Sequence, residues 1–138
     1  MKSFTSNSQK IGKIGEDLAC RFLMKHGFFV LERNYTRKWG EIDIIAIKDN
    51  KIYFVEVKSK QFSFTPTVQA RPGQWGFETG RPEENMHIWK MQRLRRIVET
   101  YLISNRVGNR EWQFDLLVVY IDIHKKLGRV KVVENIIL

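Results

Sequence analysis

Apolar residues recur at helical spacing from about Gln9 to His26, where Ile11, Ile14, Leu18, Ala19 and Phe22 form one stripe and Gly27 is placed to end the helix. A first strand follows from Phe28-Phe29-Val30-Leu31 toward Tyr35, before the polar turn Thr36-Arg37-Lys38. Two further apolar runs, Gly40–Lys48 and Lys51–Ser59, read as strands joined by Asp49-Asn50, which suits a two-residue hairpin turn. From Lys60 to Arg81 the periodicity dissolves among Pro66, Pro72, Gly73, Gly76 and Gly80, interleaved with Phe62, Phe64, Trp75 and Phe77. A loop of that length inside a compact domain is usually functional or mobile. Pro82-Glu83-Glu84 then opens a second helix that should run to Ser104, burying Ile88, Met91, Leu94, Val98, Tyr101 and Leu102. The segment Trp112–Tyr120, carrying the run Leu116-Leu117-Val118-Val119-Tyr120-Ile121, predicts a central buried strand, and Arg129–Ile137 a last one after a turn at His124–Gly128.

The hairpin concentrates the candidate chemistry. Pairing Lys48 with Lys51 sets Ile45 opposite Phe54, Asp43 opposite Glu56 and Glu41 opposite Lys58. Opposed side chains in an antiparallel pair have Cβ atoms about 4.5–5.5 Å apart, and like charges there are destabilising. A positive charge is therefore expected between Asp43 and Glu56. A divalent cation such as Mg²⁺ fits, with hard oxygen ligands from one or two carboxylates and the remaining positions left to water and phosphate. Lys58, on the Glu56 face by period-2 alternation, supplies charge in the other reading, a structural ion-pair cluster completed by Glu41. Glu16 lies on the border of the first helix's stripe, near Cys20 and Leu23, where plain surface is the alternative to function. Asp115, near the start of its strand, reads as a structural acid.

Bulk properties narrow the class. The 138 residues suit a single domain, and 43% hydrophobic with 28% charged content excludes a disordered chain. The net charge of +9 favours a polyanionic partner, because clustered Lys and Arg gain free energy by displacing counterions from phosphates. Lys90, Arg93 and Arg96 recur every three residues on the second helix as either a solvated face or a phosphate-contacting ridge. Arg71 and Arg81, among the loop aromatics, suit a flap over nucleic acid as well as a hydrophobic lid or an oligomer contact. The N-terminus lacks the apolar core of a secretion signal and no apolar run approaches membrane-spanning length, so a cytoplasmic protein with no membrane partner is expected. The single Cys20 has no thiol in the chain to pair with and reads as a small buried residue, and His26, His87 and His124 lack zinc-ligand spacing.

Asp43 followed by Glu56-Val57-Lys58, with Glu16 on the first helix, resembles the PD-(D/E)XK nuclease superfamily with its restriction-endonuclease-like αβββαβ core. More closely, Gly12-x-x-Gly15-Glu16-x-x-Ala19, Glu32-Arg33-Asn34-Tyr35, Gly40-Glu41-Ile42-Asp43-Ile44-Ile45-Ala46, Phe54-Val55-Glu56-Val57-Lys58 and Phe114-Asp115 resemble the YraN-like family of uncharacterised proteins, which is similar to Holliday-junction resolvases. Two departures are Ile42 in place of the superfamily's proline and a longer stretch from about Gln61 to Phe77. The resemblance implies an α/β fold with a mixed central sheet flanked by helices and an extra C-terminal strand. It also implies a Mg²⁺-dependent endonuclease, with Mn²⁺ as a substitute, acting on DNA, branched or structured DNA included. Asp43, Glu56 and the Val57 carbonyl would hold the metal, Lys58 would position the attacking water, Glu16 would join them, and Lys90 and Gln92 would contact phosphate. A homodimer would suit cutting two strands. The alternatives are a nucleic-acid-binding or assembly protein that keeps the fold without cleaving, and an interaction domain whose acids form only salt bridges.

Overall fold

The computed structural model describes residues 7–63 and 88–138. Along the chain come α1 (Asn7–Lys25), β1 (Phe29–Arg37), β2 (Gly40–Lys48), β3 (Lys51–Gln61), α2 (Ile88–Ser104), β4 (Trp112–Asp122) and β5 (Leu127–Val133). The strands form one sheet in sequence order, antiparallel except for the parallel β3–β4 pair. A parallel pair needs a crossover, and α2 lies on that crossover while α1 packs on the opposite face. This is the expected αβββαβ core with an added strand.

The two faces carry separate cores. Ile11, Ala19, Cys20 and Leu23 of α1 bury Ile44, Ala46, Val55, Leu117, Val119 and Ile121. Leu94, Ile97, Val98 and Tyr101 of α2 bury Ile45, Ile52, Phe54 and Phe114. β4 contributes to both, which is why its apolar run is continuous rather than alternating.

Several boundaries differ from expectation. β1 runs through Thr36 and Arg37, because Arg37 pairs with Gly40 and the turn needs only Lys38-Trp39. β3 extends past Ser59 to Gln61, held by parallel pairing to β4 as far as Ile121. The last strand occupies Leu127–Val133, not Arg129–Ile137; beyond it Ile136 donates its N–H to the Phe114 carbonyl at 2.8 Å and packs with Leu138 on the α2 core. The rest of the expected loop from residue 64, and residues 82–87 of the expected second helix, lie outside the described residues. Asp49 and Asn50 have φ of 50° and 63°, the pair of positive values that a type I′ hairpin turn requires. Among the described residues no helix is long and apolar enough to cross a membrane.

Candidate functional site

The β2–β3 pairing runs from Lys48–Lys51 to Ile44–Val55 in the expected register and stops one step before Asp43 and Glu56. The cause lies in β1. Asn34, which stands opposite Asp43, has a φ of 53°, and around it the hairpin turns over: Arg33 reaches α1, whereas Tyr35 two residues later is buried against α2. Ile44 and Ile42 divide between the two cores in the same way. β2 therefore bends away with β1, while β3 stays with β4. Glu41 goes with the bend, pairs with Thr36 and forms no salt bridge with Lys58, so the expected Glu41–Lys58 contact is absent.

Asp43 fills the opening. Its Oδ2 accepts the Val57 N–H at 2.8 Å, taking the place of a ladder hydrogen bond. Burial pushes its carboxyl up to about 7; the Val57 N–H works against that, and the Glu56, Glu16 and Glu41 carboxylates add to it. Glu56 accepts from the Lys90 ammonium at 2.7 Å through Oε1, and its Oε2 is buried with no hydrogen-bond partner among the described residues. Lys58 follows two residues on, half-buried and without an ion pair among the described residues.

Glu16 arrives from α1 by an unusually close approach. A Cβ on Gly15 would stand 1.8 Å from Ser59 Oγ and 2.7 Å from Ser59 Cβ, so only glycine lets the helix rest on β3 there. Glu16 then sits with its side chain 18% exposed, accepting from Arg33 Nη2 at 3.2 Å, and the same nitrogen reaches Asp17 at 2.9 Å. This contact fixes the rotation of α1: Ile11, Gly15, Ala19, Cys20 and Leu23 face the sheet, and Ile14, expected in the stripe, is 38% exposed.

On the other face α2 carries Lys90 to Glu56, and further along it Arg93 stacks over Trp89 at 4.4 Å and Arg96 over Trp39 at 4.8 Å. The stacked arginines keep exposed guanidinium groups in fixed positions, as a phosphate-contacting ridge requires. Gln92 is exposed. Arg71, Arg81 and His87 lie outside the described residues.

Among the described residues no three His, Cys, Asp or Glu side chains converge as a metal-ligand set. A cation here would take two carboxylates, a backbone carbonyl and water. The unpartnered Glu56 Oε2 fits that smaller set, since a buried carboxylate oxygen left without a partner is costly.

The sequence profile of an uncharacterised protein family, UPF0102, matches residues 15–119. A UPF0102 protein of Alkaliphilus oremlandii is 34% identical over 128 residues, 93% of this chain and 97% of the relative. Another, from Helicobacter hepaticus, is 35% identical over 132 residues, covering 96% and 98%. The chain belongs to the UPF0102 family. This is the YraN-like family of the sequence resemblance. The UPF0102 match takes in Gly15, Glu16, Asp43, Glu56, Lys58, Lys90 and Asp115, and leaves β5 outside it.

Three contributors to this UPF0102 site have no role in the sequence reading. Arg33 holds Glu16, Ser59 receives Gly15, and Trp39 supports Arg96 while donating its Nε1–H to Thr100 at 3.2 Å. Arg33 stood inside a quoted motif, but periodicity gives no sign that it turns toward α1; that depends on the bulge in β1 between Val30 and Glu32.

Proposed function

We propose that this UPF0102 protein is a metal-dependent endonuclease that hydrolyses DNA phosphodiester bonds, with branched or structured DNA among its substrates. The observation that carries the proposal is the buried Oε2 of Glu56, without a hydrogen-bond partner among the described residues, beside the half-buried Asp43 carboxyl at the point where β2 and β3 part. Within a strand one residue's N–H and C=O point to the same neighbour, so the Val57 carbonyl faces the gap across which its N–H meets Asp43. Asp43, Glu56 and that carbonyl would hold Mg²⁺ or Mn²⁺, which when bound supplies Lewis-acid charge to the phosphate and lowers the pKa of a bound water. Lys58, free of ion pairs among the described residues, orients the attacking water and offsets charge on the phosphoryl oxygens. Glu16, held by Arg33, keeps a carboxylate at the α1 side of the same opening. With a cation held by Glu56, Lys90 would be available to contact the substrate phosphate, and Arg93 and Arg96 would continue the phosphate track along α2.

A second reading, a nucleic-acid-binding protein without cleavage, is favoured by the 2.7 Å Lys90–Glu56 pair, which already neutralises one carboxylate. Labelled four-way junction, duplex and single-stranded DNA incubated with Mg²⁺, Mn²⁺ or chelator separate the two. Cleavage should require the cation and disappear in Asp43→Ala while binding persists; binding without cleavage in any metal would leave the second reading standing.

A further inference from the structure

Helix α1 ends before the sheet does, and beyond its last turn a cavity of about 460 Å³ opens over the starts of β3 and β4. That volume suits a small molecule, for which pockets run to roughly 300–1,000 Å³. The floor is apolar, from Val55 and Leu117, and the walls are aromatic. Phe28 and Tyr53 meet edge to face at 4.8 Å, and Phe22 lies 4.2 Å from the His26 ring.

Its polar lining is rich in acceptors. His26 Nδ1 lies 2.8 Å from the Phe22 carbonyl, which can only accept, so Nδ1 is the donor in that contact. Gln113 donates one N–H of its amide Nε2 to Asp115 Oδ1 at 2.7 Å, and its own oxygen remains as an acceptor. Asp115 is only 6% exposed; Oδ1 also accepts the Asn135 N–H at 2.9 Å, and Oδ2 has no hydrogen-bond partner among the described residues. Three lining carboxylates, Asp49, Asp115 and Glu134, outnumber the ammonium groups of Lys48, which lines the cavity and donates to the His26 carbonyl at 2.8 Å, and of Lys51, which lies 5.6 Å from the Tyr53 ring centroid. In a chain of net charge +9 that local excess of acid runs against the whole molecule. Lys48 also sits 5.0 Å from the Phe28 centroid, the contact a bound cation would repeat deeper inside.

We infer that this cavity binds an organic cation, a guanidinium or alkylammonium head on an apolar stem, with the head on Asp115 and the stem among the aromatic rings. The source is either a free small molecule or an Arg or Lys side chain of a partner. The inference is independent of the nuclease proposal, because Tyr53, Val55 and Asp115 belong to the α1 face and Glu56 alternates to the other.

Titration of the full chain with agmatine, with an acetylated and amidated Gly-Arg-Gly peptide, and with uncharged n-butylurea, followed by backbone and side-chain amide NMR, tests it. Agmatine or the peptide should saturate with a Kd at or below about 1 mM and shift the Gln113 side-chain and Asn135 backbone amides. Preference for agmatine marks a free ligand, and equal or better binding of the peptide marks a partner's side chain. Asp115→Asn, which keeps an acceptor for Gln113 and Asn135, should weaken binding about tenfold or more. Phe28→Leu, which keeps the wall but removes the ring, should also weaken it and stands alone if the first variant does not fold. Butylurea binding as tightly as agmatine, affinity unchanged in both variants, or no saturation by either cation would overturn the inference.

Discussion

Asp43 is held by opposing forces. The Val57 N–H stabilises its carboxylate, while burial and three neighbouring acids favour the protonated form, and the second group prevails. An aspartate with a folded pKa of about 7, against roughly 3.9 in the unfolded chain, binds its proton more tightly when folded. The stability this contributes is fully present below the unfolded value and is lost as pH rises through the folded one. In chelator, Asp43→Asn keeps an oxygen for Val57 and has no charge to lose, so near pH 3.5, below the unfolded value, its Tm should lie near the parent's. By pH 8 it should be the more stable by about 1–2 kcal/mol, a few degrees in Tm. Scanning calorimetry of both proteins across that interval measures the gap, and a gap that shrinks toward pH 8 would refute the account of Asp43. Cation binding requires the same proton to leave. Calorimetric titration of Mg²⁺ at pH 6 in buffers of different ionisation enthalpy should show close to one proton released, with little at pH 8 and no binding to Asp43→Asn or Glu56→Gln.

At the scale of elements, α1 is placed by a residue with no side chain. The apolar stripe read from the sequence, Ile11, Ile14, Leu18, Ala19 and Phe22, takes in Ile14 and passes over Gly15, because hydrophobic periodicity counts side chains and Gly15 has none. The helix instead turns to set Gly15 on Ser59, leaving Ile14 outward and Glu16 at the strand opening. Gly15→Ala should cost about 1–3 kcal/mol, as overpacking does, and should shift Glu16 away from Arg33. Ser59→Gly in the same chain should recover most of that loss in urea unfolding; failure to recover it would mean that the contact is not what seats the helix. The hairpin register was legible because apolar alternation and Asp49-Asn50 agree, each excluding a one-residue slip. The end of that register was not legible. It is set by Asn34 and by the competition between β1 and β4 for the two strands of the hairpin, which are tertiary facts.

Over the whole molecule, charge separates what the fold keeps apart. The aromatic cavity beyond α1 carries the local acid excess, and the cations beside the strand opening lie along α2, where Lys90, Arg93 and Arg96 follow one another from Glu56 to the β1–β2 turn at Trp39. The net charge of +9 pointed to a polyanion but not to a place on the surface; the ridge becomes a path only when α2 is seen to lead away from Glu56. If that path holds a DNA backbone, each phosphate contact releases condensed counterions, and log K falls linearly with log salt by about 0.9 per contact on duplex DNA. Replacing Arg93 and Arg96 together by Ala should weaken duplex binding at low salt and lower the slope by about 2. Arg106, also exposed, lies just past the far end of α2, whose span from Lys90 to Ser104 is about 21 Å at 1.5 Å per residue, and Arg106→Ala should leave the slope unchanged. The double variant carries a net charge of +7 and Arg106→Ala +8 against +9 for the parent, so a general attraction to DNA would lower the slope in proportion to the charge removed, about half as much in Arg106→Ala as in the double variant. Fluorescence anisotropy from about 50 to 200 mM salt, a range over which several phosphate contacts change affinity by orders of magnitude, distinguishes a fixed track along α2 from diffuse electrostatics. A slope lowered in Arg106→Ala by about half or more of the drop in the ridge variant would remove α2 as a fixed track without touching the two acids at the strand opening.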